Sequence, residues 1–131
     1  MTQLGPRFWE IFFEVYEPLP RQGPGNLASA AMALGLCREL KESPAIIDLG
    51  CGASGQTLQL AELTSGPIVA IDSHAPSIER LQAAVAERGL LRRVTALVGD
   101  MGLWIRTHWA LHVARRSVVG RFLHAHGNAH R

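Results

Sequence analysis

The chain is short of cysteine and aromatic residues, has no long apolar run, and carries no acid beyond Asp100. Each absence excludes something. A membrane span needs about 20 consecutive apolar residues, and no segment approaches that, so a membrane role is not expected. The N-terminus lacks a basic stretch followed by an apolar core and does not read as a secretory leader. The two cysteines, Cys37 and Cys51, stand in no metal or redox spacing. Free thiols in a reducing cytoplasm are the simplest reading. The missing acids expose a break in character. Residues 1–101 hold eight basic and eleven acidic residues, a net charge of −3, whereas residues 102–131 hold five Arg, five of the six His and no acid. Such asymmetry marks two segments of different kind. At 131 residues, 47% of them hydrophobic, there is material for one small domain with a core.

Along the chain the local signals alternate. Residues 8–17 form an aromatic-rich helix candidate, ended by Pro18 and Pro20. Residues 19–25 form a loop, and Asn26 can cap a helix over about 27–40. Pro44 precedes a first strand at 45–49, and a helix follows from about 55 to 64. Gly66-Pro67 turns the chain into a second strand at 68–71 that ends at Asp72. Pro76 suits the first turn of the next helix, whose buried stripe is Ile78, Leu81 and Val85 and whose stop is Gly89. A third strand runs from Val94 to Val98. The order β-α-β-α-β with right-handed crossovers predicts an α/β fold, the N-terminal half of a Rossmann-like doubly wound parallel sheet. Residues 1–43 then form a helical lid or cap, 44–101 a cofactor-binding half, and 102–131 an atypical basic tail.

The stretch 46–57 carries the chemistry. Its apolar run ends in Asp48, and Gly50, Gly52 and Gly55 follow before a helix start. This is a strand, a tight turn and a helix through which backbone approaches a nucleotide closely. Ligands in such sheets lie beyond the carboxyl ends of the strands, where Asp48, Asp72 and Asp100 fall, one per strand. The glycine spacing with Asp72 after it also fits a nicotinamide dinucleotide. Asp48 is the objection, because a dinucleotide puts its pyrophosphate at this helix start and a carboxylate beside it repels it. S-adenosylmethionine carries a sulfonium and an ammonium group and no phosphate, so an acid-lined turn attracts it. S-adenosylmethionine is therefore the expected cofactor, with a fragment of an NAD-linked oxidoreductase as the alternative.

These residues resemble a known family. Residues 46–57 resemble the first motif, commonly D-x-G-x-G-x-G, of class I S-adenosylmethionine-dependent methyltransferases. Residues 68–73 resemble the second motif, and residues 94–101 the adenine motif. The loop Leu-Pro-Arg-Gln-Gly-Pro-Gly at 19–25 resembles that of a bacterial subgroup with small-molecule substrates. The resemblance covers about residues 8–101. It implies that backbone at Gly50 and Gly52 lies against the methionine part, with Asp48 supporting that end. It implies that Asp72 takes the ribose hydroxyls, Ser73 and His74 flank the adenosine, Asp100 accepts from the adenine amino group, and Met101 packs on the ring. It also implies that Arg21 and Gln22 close over the methionine carboxylate and that Cys51 and Gln56 complete the cofactor-binding positions. The third motif glycine is replaced by Ser54, which adds little bulk.

Methyl transfer requires acceptor and methyl to be held in line, so no catalytic triad or metal is needed, and no catalytic residue is assigned. The expected activity is methyl transfer to a small-molecule acceptor. After Met101 the resemblance ends. A helix over about 103–123 keeps no single apolar face, and the tail reads like an out-of-frame translation of a truncated methyltransferase. The alternative is a non-catalytic cofactor-binding fragment completed by a partner, with a homodimer through the exposed edge of the first strand as one form. Plainer readings stand beside these. Cys51 reads as packing rather than a nucleophile, and His74 as a loop residue rather than a base. His108 and His112 have zinc-helix spacing but no partner ligand, so no metal is expected. The basic tail matches no nucleic-acid module.

Overall fold

The computed structural model describes residues 4–20, 22–23, 25–53 and 55–105. Helices α1 (Pro6–Tyr16) and α2 (Leu27–Leu36) precede a β-α-β-α-β run. That run is β1 (Ile46–Leu49), α3 (Gly55–Leu63), β2 (Ile68–Asp72), α4 (Ala75–Glu87) and β3 (Val94–Val98). The three strands are parallel in the order β1-β2-β3, with Ile46 opposite Ile68 and Ile68 opposite Val94. Residues 101–105 are again helical. The Rossmann-like half-sheet expected from the sequence is thus present, its strands within a residue of the expected bounds.

Strand alternation decides what is buried. Ile46, Ile68, Ala70, Val94 and Ala96 point toward α3 and α4 and are buried with Leu58, Leu60, Ala61, Ile78, Leu81 and Val85. The opposite positions are less covered, with Ile71 on the central strand the exception: Ile47, Leu49 and Val69 are half-buried, Thr95 and Leu97 are exposed, and Ile71 has no exposed surface. Asp48 lies in the inward set, so the period of two that builds the core also buries a carboxylate.

The caps follow local chemistry. The Asn26 side chain accepts from Ser29 N–H at 3.0 Å, and Ser29 Oγ accepts from Asn26 N–H at 2.8 Å, a reciprocal capping box. At the end of α4, Leu90 N–H donates to Val85 O at 2.9 Å and Gly89 N–H to Ala86 O at 3.1 Å. Helix α2 departs from expectation, ending at Leu36 rather than near 40. Cys37 is extended and Glu39 is left-handed at φ 59°, which turns Leu40 onto the core cluster. Burial of Leu40 outweighs continued helical periodicity. The tail helix expected over 103–123 lies outside the described residues beyond 105.

Arg93 was not singled out in the sequence. Its guanidinium donates to Ala61 O at 3.1 Å, Thr64 O at 2.6 Å and Gly66 O at 3.2 Å. Ala61 is in the last turn of α3 and Thr64 and Gly66 follow its end, so the cation satisfies carbonyls left open there and suits the helix dipole. No helix among the described residues is long and apolar enough to cross a membrane.

Candidate functional site

The site forms where β1 gives way to α3. Gly50 and Gly52 have φ of +71° and +61°, the left-handed region that glycine enters without steric cost. Gly50 N–H and Cys51 N–H both donate to Ile71 O, at 2.7 and 3.1 Å. The turn after β1 is therefore stitched to the end of β2, which brings Asp72 beneath it.

Asp72 binds backbone with both oxygens. Oδ2 accepts from Gly52 N–H at 3.0 Å and Oδ1 from His74 N–H at 2.8 Å. Two charge-assisted bonds fix the carboxylate at the carboxyl end of β2. Asp48 lies deeper, 4% exposed, and accepts from Thr57 Oγ at 2.8 Å. Thr57, fully buried, is in the first turn of α3, where the helix dipole favours a nearby anion. Thr57 closes the stretch 46–57 and was not singled out from the sequence. A hydroxyl nine residues after an inward-facing acid was the available signal.

Cys51 senses both carboxylates. Burial first, then the charges of Asp48 and Asp72, push its thiol well above the ordinary range. It stays protonated, with Sγ 3.5 Å from Gly52 O, which suits packing and not nucleophilic attack. The turn is a region of negative potential with buried walls.

Two elements close on it from the N-terminal side. Gln22 Oε1 accepts from Ala53 N–H at 3.1 Å, and Gln22 Nε2 donates to Tyr16 O at 3.1 Å. Its side chain fills the space that a Cβ at Gly52 would need. Gln22 therefore lies on the glycine turn itself. The His74 ring stacks on Phe13 with centroids 3.7 Å apart and planes nearly parallel, and its Nε2 is 2.6 Å from Glu17 Oε1. His74 thus faces α1. The Phe13 and Glu17 partners, far away in sequence, were not foreseen. Helix α1 buries none of its own residues, and these contacts hold it to the body.

Asp100, at the end of the Gly-Asp that follows β3, is exposed and caps the helical segment 101–105. Its Oδ1 accepts from Leu103 N–H at 2.8 Å and its carbonyl from Trp104 N–H at 2.9 Å. Met101 is half-buried, and its sulfur lies over Gly50. Ser73 is exposed and Gln56 half-buried. The sheet thus gathers Gln22, Asp48, Gly50, Cys51, Gly52, Asp72 and Met101 around one turn. Arg21, Ser54, His108 and His112 lie outside the described residues. Among those described, no group of His, Cys, Asp and Glu is placed to hold a metal.

This arrangement is similar to known proteins. A family model described as a methyltransferase domain matches residues 40–112, running past Met101, where the resemblance read from the sequence ends. No curated protein matches the chain. Among solved structures, an S-adenosylmethionine-dependent methyltransferase from Thiobacillus denitrificans, in complex with S-adenosylhomocysteine, is 23% identical with TM-score 0.54. The match covers 73% of this chain and 37% of that one. A geranyl diphosphate C-methyltransferase from Streptomyces coelicolor A3(2), with Mg2+, geranyl diphosphate and S-adenosylhomocysteine, is 16% identical with TM-score 0.51. There the match covers 56% of this chain and 28% of that one. A geranyl diphosphate methyltransferase in complex with its cofactor is 20% identical with TM-score 0.51, over 57% of this chain and 30% of that one. At these identities the likeness is one of fold, and the chain spans about a third of its neighbours' length.

Proposed function

Because the chain belongs to the methyltransferase domain family, we propose that it binds S-adenosylmethionine at the turn after β1 and serves methyl transfer to a small-molecule acceptor. The observation that carries this reading is the pair of carboxylates at the turn. Asp48 is buried below it, and Asp72 bonds to its backbone. That negative site suits a sulfonium and ammonium ligand and repels a pyrophosphate. The same charge logic places the NAD-linked reading second.

The residues present fit the cofactor. Asp72 is held where ribose hydroxyls would meet the free lone pairs of its oxygens. Gly50 and Gly52 give backbone access for the methionine part, with Asp48 and Gln22 beside it. Met101 stands over Gly50 for the adenine ring, with Asp100 for its amino group and Ser73, His74, Cys51 and Gln56 around it. Arg21 joins Gln22 at the carboxylate in this reading. Bound there, the cofactor supplies an activated methyl group, and the chain's own work is to bind, orient and exclude water. Residues 1–43 act as the cap, since α1 closes on the turn through His74 and Gln22. The loop at 19–25 and the small substrate named for the Streptomyces coelicolor neighbour support a small-molecule acceptor. Two free thiols, Cys37 and Cys51, suit a cytoplasmic setting.

A second reading rests on the sheet edge: the chain acts as a cofactor-binding unit completed by a partner, a second copy paired on β1, which is an edge strand among the described residues. The composition break after Met101 supports an interrupted reading frame, and translating the other two frames of the gene tests that directly.

Calorimetric titration with S-adenosylhomocysteine, with NAD as control, tests the main reading. Binding of the first alone, abolished by Asp72→Ala, is expected. Preference for NAD would sink it. Sedimentation of the purified chain separates the second reading, which expects a dimer.

A further inference from the structure

All four backbone N–H groups from Gly50 to Ala53 are engaged within the protein. Ile71 O takes those of Gly50 and Cys51, Asp72 Oδ2 that of Gly52, and Gln22 Oε1 that of Ala53. Amides at a strand-turn-helix are what phosphate-binding versions of this architecture offer to a diphosphate. Here the last two are filled by side-chain oxygens from other elements. Asp72 comes from the end of β2, 20 residues on, and Gln22 from the loop after α1, 31 residues before.

We propose that Gln22 is a specificity-determining residue. Its side-chain carbonyl plugs the Ala53 amide, and with Asp72 it closes the anion-binding face of the turn, so diphosphate-bearing nucleotides are refused while a cationic cofactor is admitted. The inference rests on the proposed cofactor and adds the reason for its selection. Charge repulsion from Asp48 and Asp72 weakens an anion everywhere near the turn. The plug acts on one donor pair. Gly52 and Ala53 are both buried, so their amides need partners, and solvent is poorly placed to supply them. Gln22 is anchored at its other end on Tyr16 O. The side-chain amide is both donor and acceptor, which lets it accept from the turn and donate to α1 at once. A carboxylate would keep the first contact and lose the second. A hydrocarbon would keep neither.

The test follows the Ala53 amide by NMR while inorganic pyrophosphate is titrated into the folded chain. In the wild type that resonance should not respond. In Gln22→Ala the amide is freed, its hydrogen exchange quickens, and pyrophosphate affinity rises about tenfold, the worth of one charge-assisted bond. Gln22→Glu restores protection of Ala53 and refuses pyrophosphate as the wild type does. Gln22→Met keeps the length but has no carbonyl, and carries the same expectation as alanine if the alanine variant does not fold. Equal pyrophosphate binding in the wild type and the freed variants overturns the proposal. A parallel titration of the wild type with S-adenosylhomocysteine separates the two readings. Binding there without any gain for pyrophosphate in the variants removes the plug and leaves the cofactor standing. A gain for pyrophosphate without S-adenosylhomocysteine binding does the reverse.

Discussion

Replacing Thr57 by valine probes the centre of the site with little change of shape. The hydroxyl becomes a methyl at a fully buried position, so no cavity opens. What is lost is the 2.8 Å bond to the Asp48 carboxylate. A hydrogen bond to a charged group is worth about 1.5–3 kcal/mol net, and a buried carboxylate that loses a donor falls at the upper end. The expected destabilisation is about 2–3 kcal/mol, a roughly 30- to 150-fold rise in the unfolding constant. Urea unfolding followed by circular dichroism measures it. Asp48→Asn keeps a carbonyl acceptor and should cost about 1 kcal/mol or less. In the double variant the two losses should fall short of additive by up to about 1 kcal/mol, because a neutral amide suffers less than a buried carboxylate when the Thr57 hydroxyl is gone. A stability of Thr57→Val within about 0.5 kcal/mol of the wild type would show that the hydroxyl does not hold the carboxylate. The account of how β1 and α3 build the site would then be wrong.

Other expectations concern the frame around the site. Leu81→Ala removes a side chain with no exposed surface and should cost about 2–5 kcal/mol in the same assay. Arg93→Ala leaves the carbonyls of Ala61, Thr64 and Gly66 without their donor and should cost about 1–3 kcal/mol, with Arg93→Lys recovering part of it. His74→Ala removes both the stack on Phe13 and the Glu17 contact, so protease cleavage within residues 1–20 should quicken while the sheet stays intact. The Cys51 thiol, raised by burial and by Asp48 and Asp72, stays neutral in the fold after the unfolded chain's thiol has ionised. Its contribution is whole below the unfolded value and falls as pH climbs above it, by about 1.4 kcal/mol per pH unit beyond about pH 9. Cys51→Ala should flatten that part of the stability profile.

Much of the fold was legible because its signals are local. Asn26 announces a cap, Gly89 a helix stop, and the runs at 46–49, 68–72 and 94–98 are short and apolar between turn residues. Asp48 was read only as an acid at the end of its strand, and its burial came with the packing of the sheet. The overlong α2 shows where such reading fails. The pattern continued past Leu36, but Leu40 had to reach the core, and no local signal carries that demand. Asp100 was read as a ligand position, and the fold also makes it a helix cap.

By itself, then, the sequence determined the element order, the glycine turn and the three acids at the strand ends. These depend on backbone preference and periodicity within a few residues. Only the tertiary structure decided how the turn is filled and held. Gln22 meets Ala53 across 31 positions, His74 meets Glu17 across 57, and Arg93 reaches back 32 to Ala61. Such partners are chosen by which surfaces the packed sheet brings together. The chain's local preferences are silent about them, because a side-chain oxygen meets any nearby amide equally well until the fold selects one.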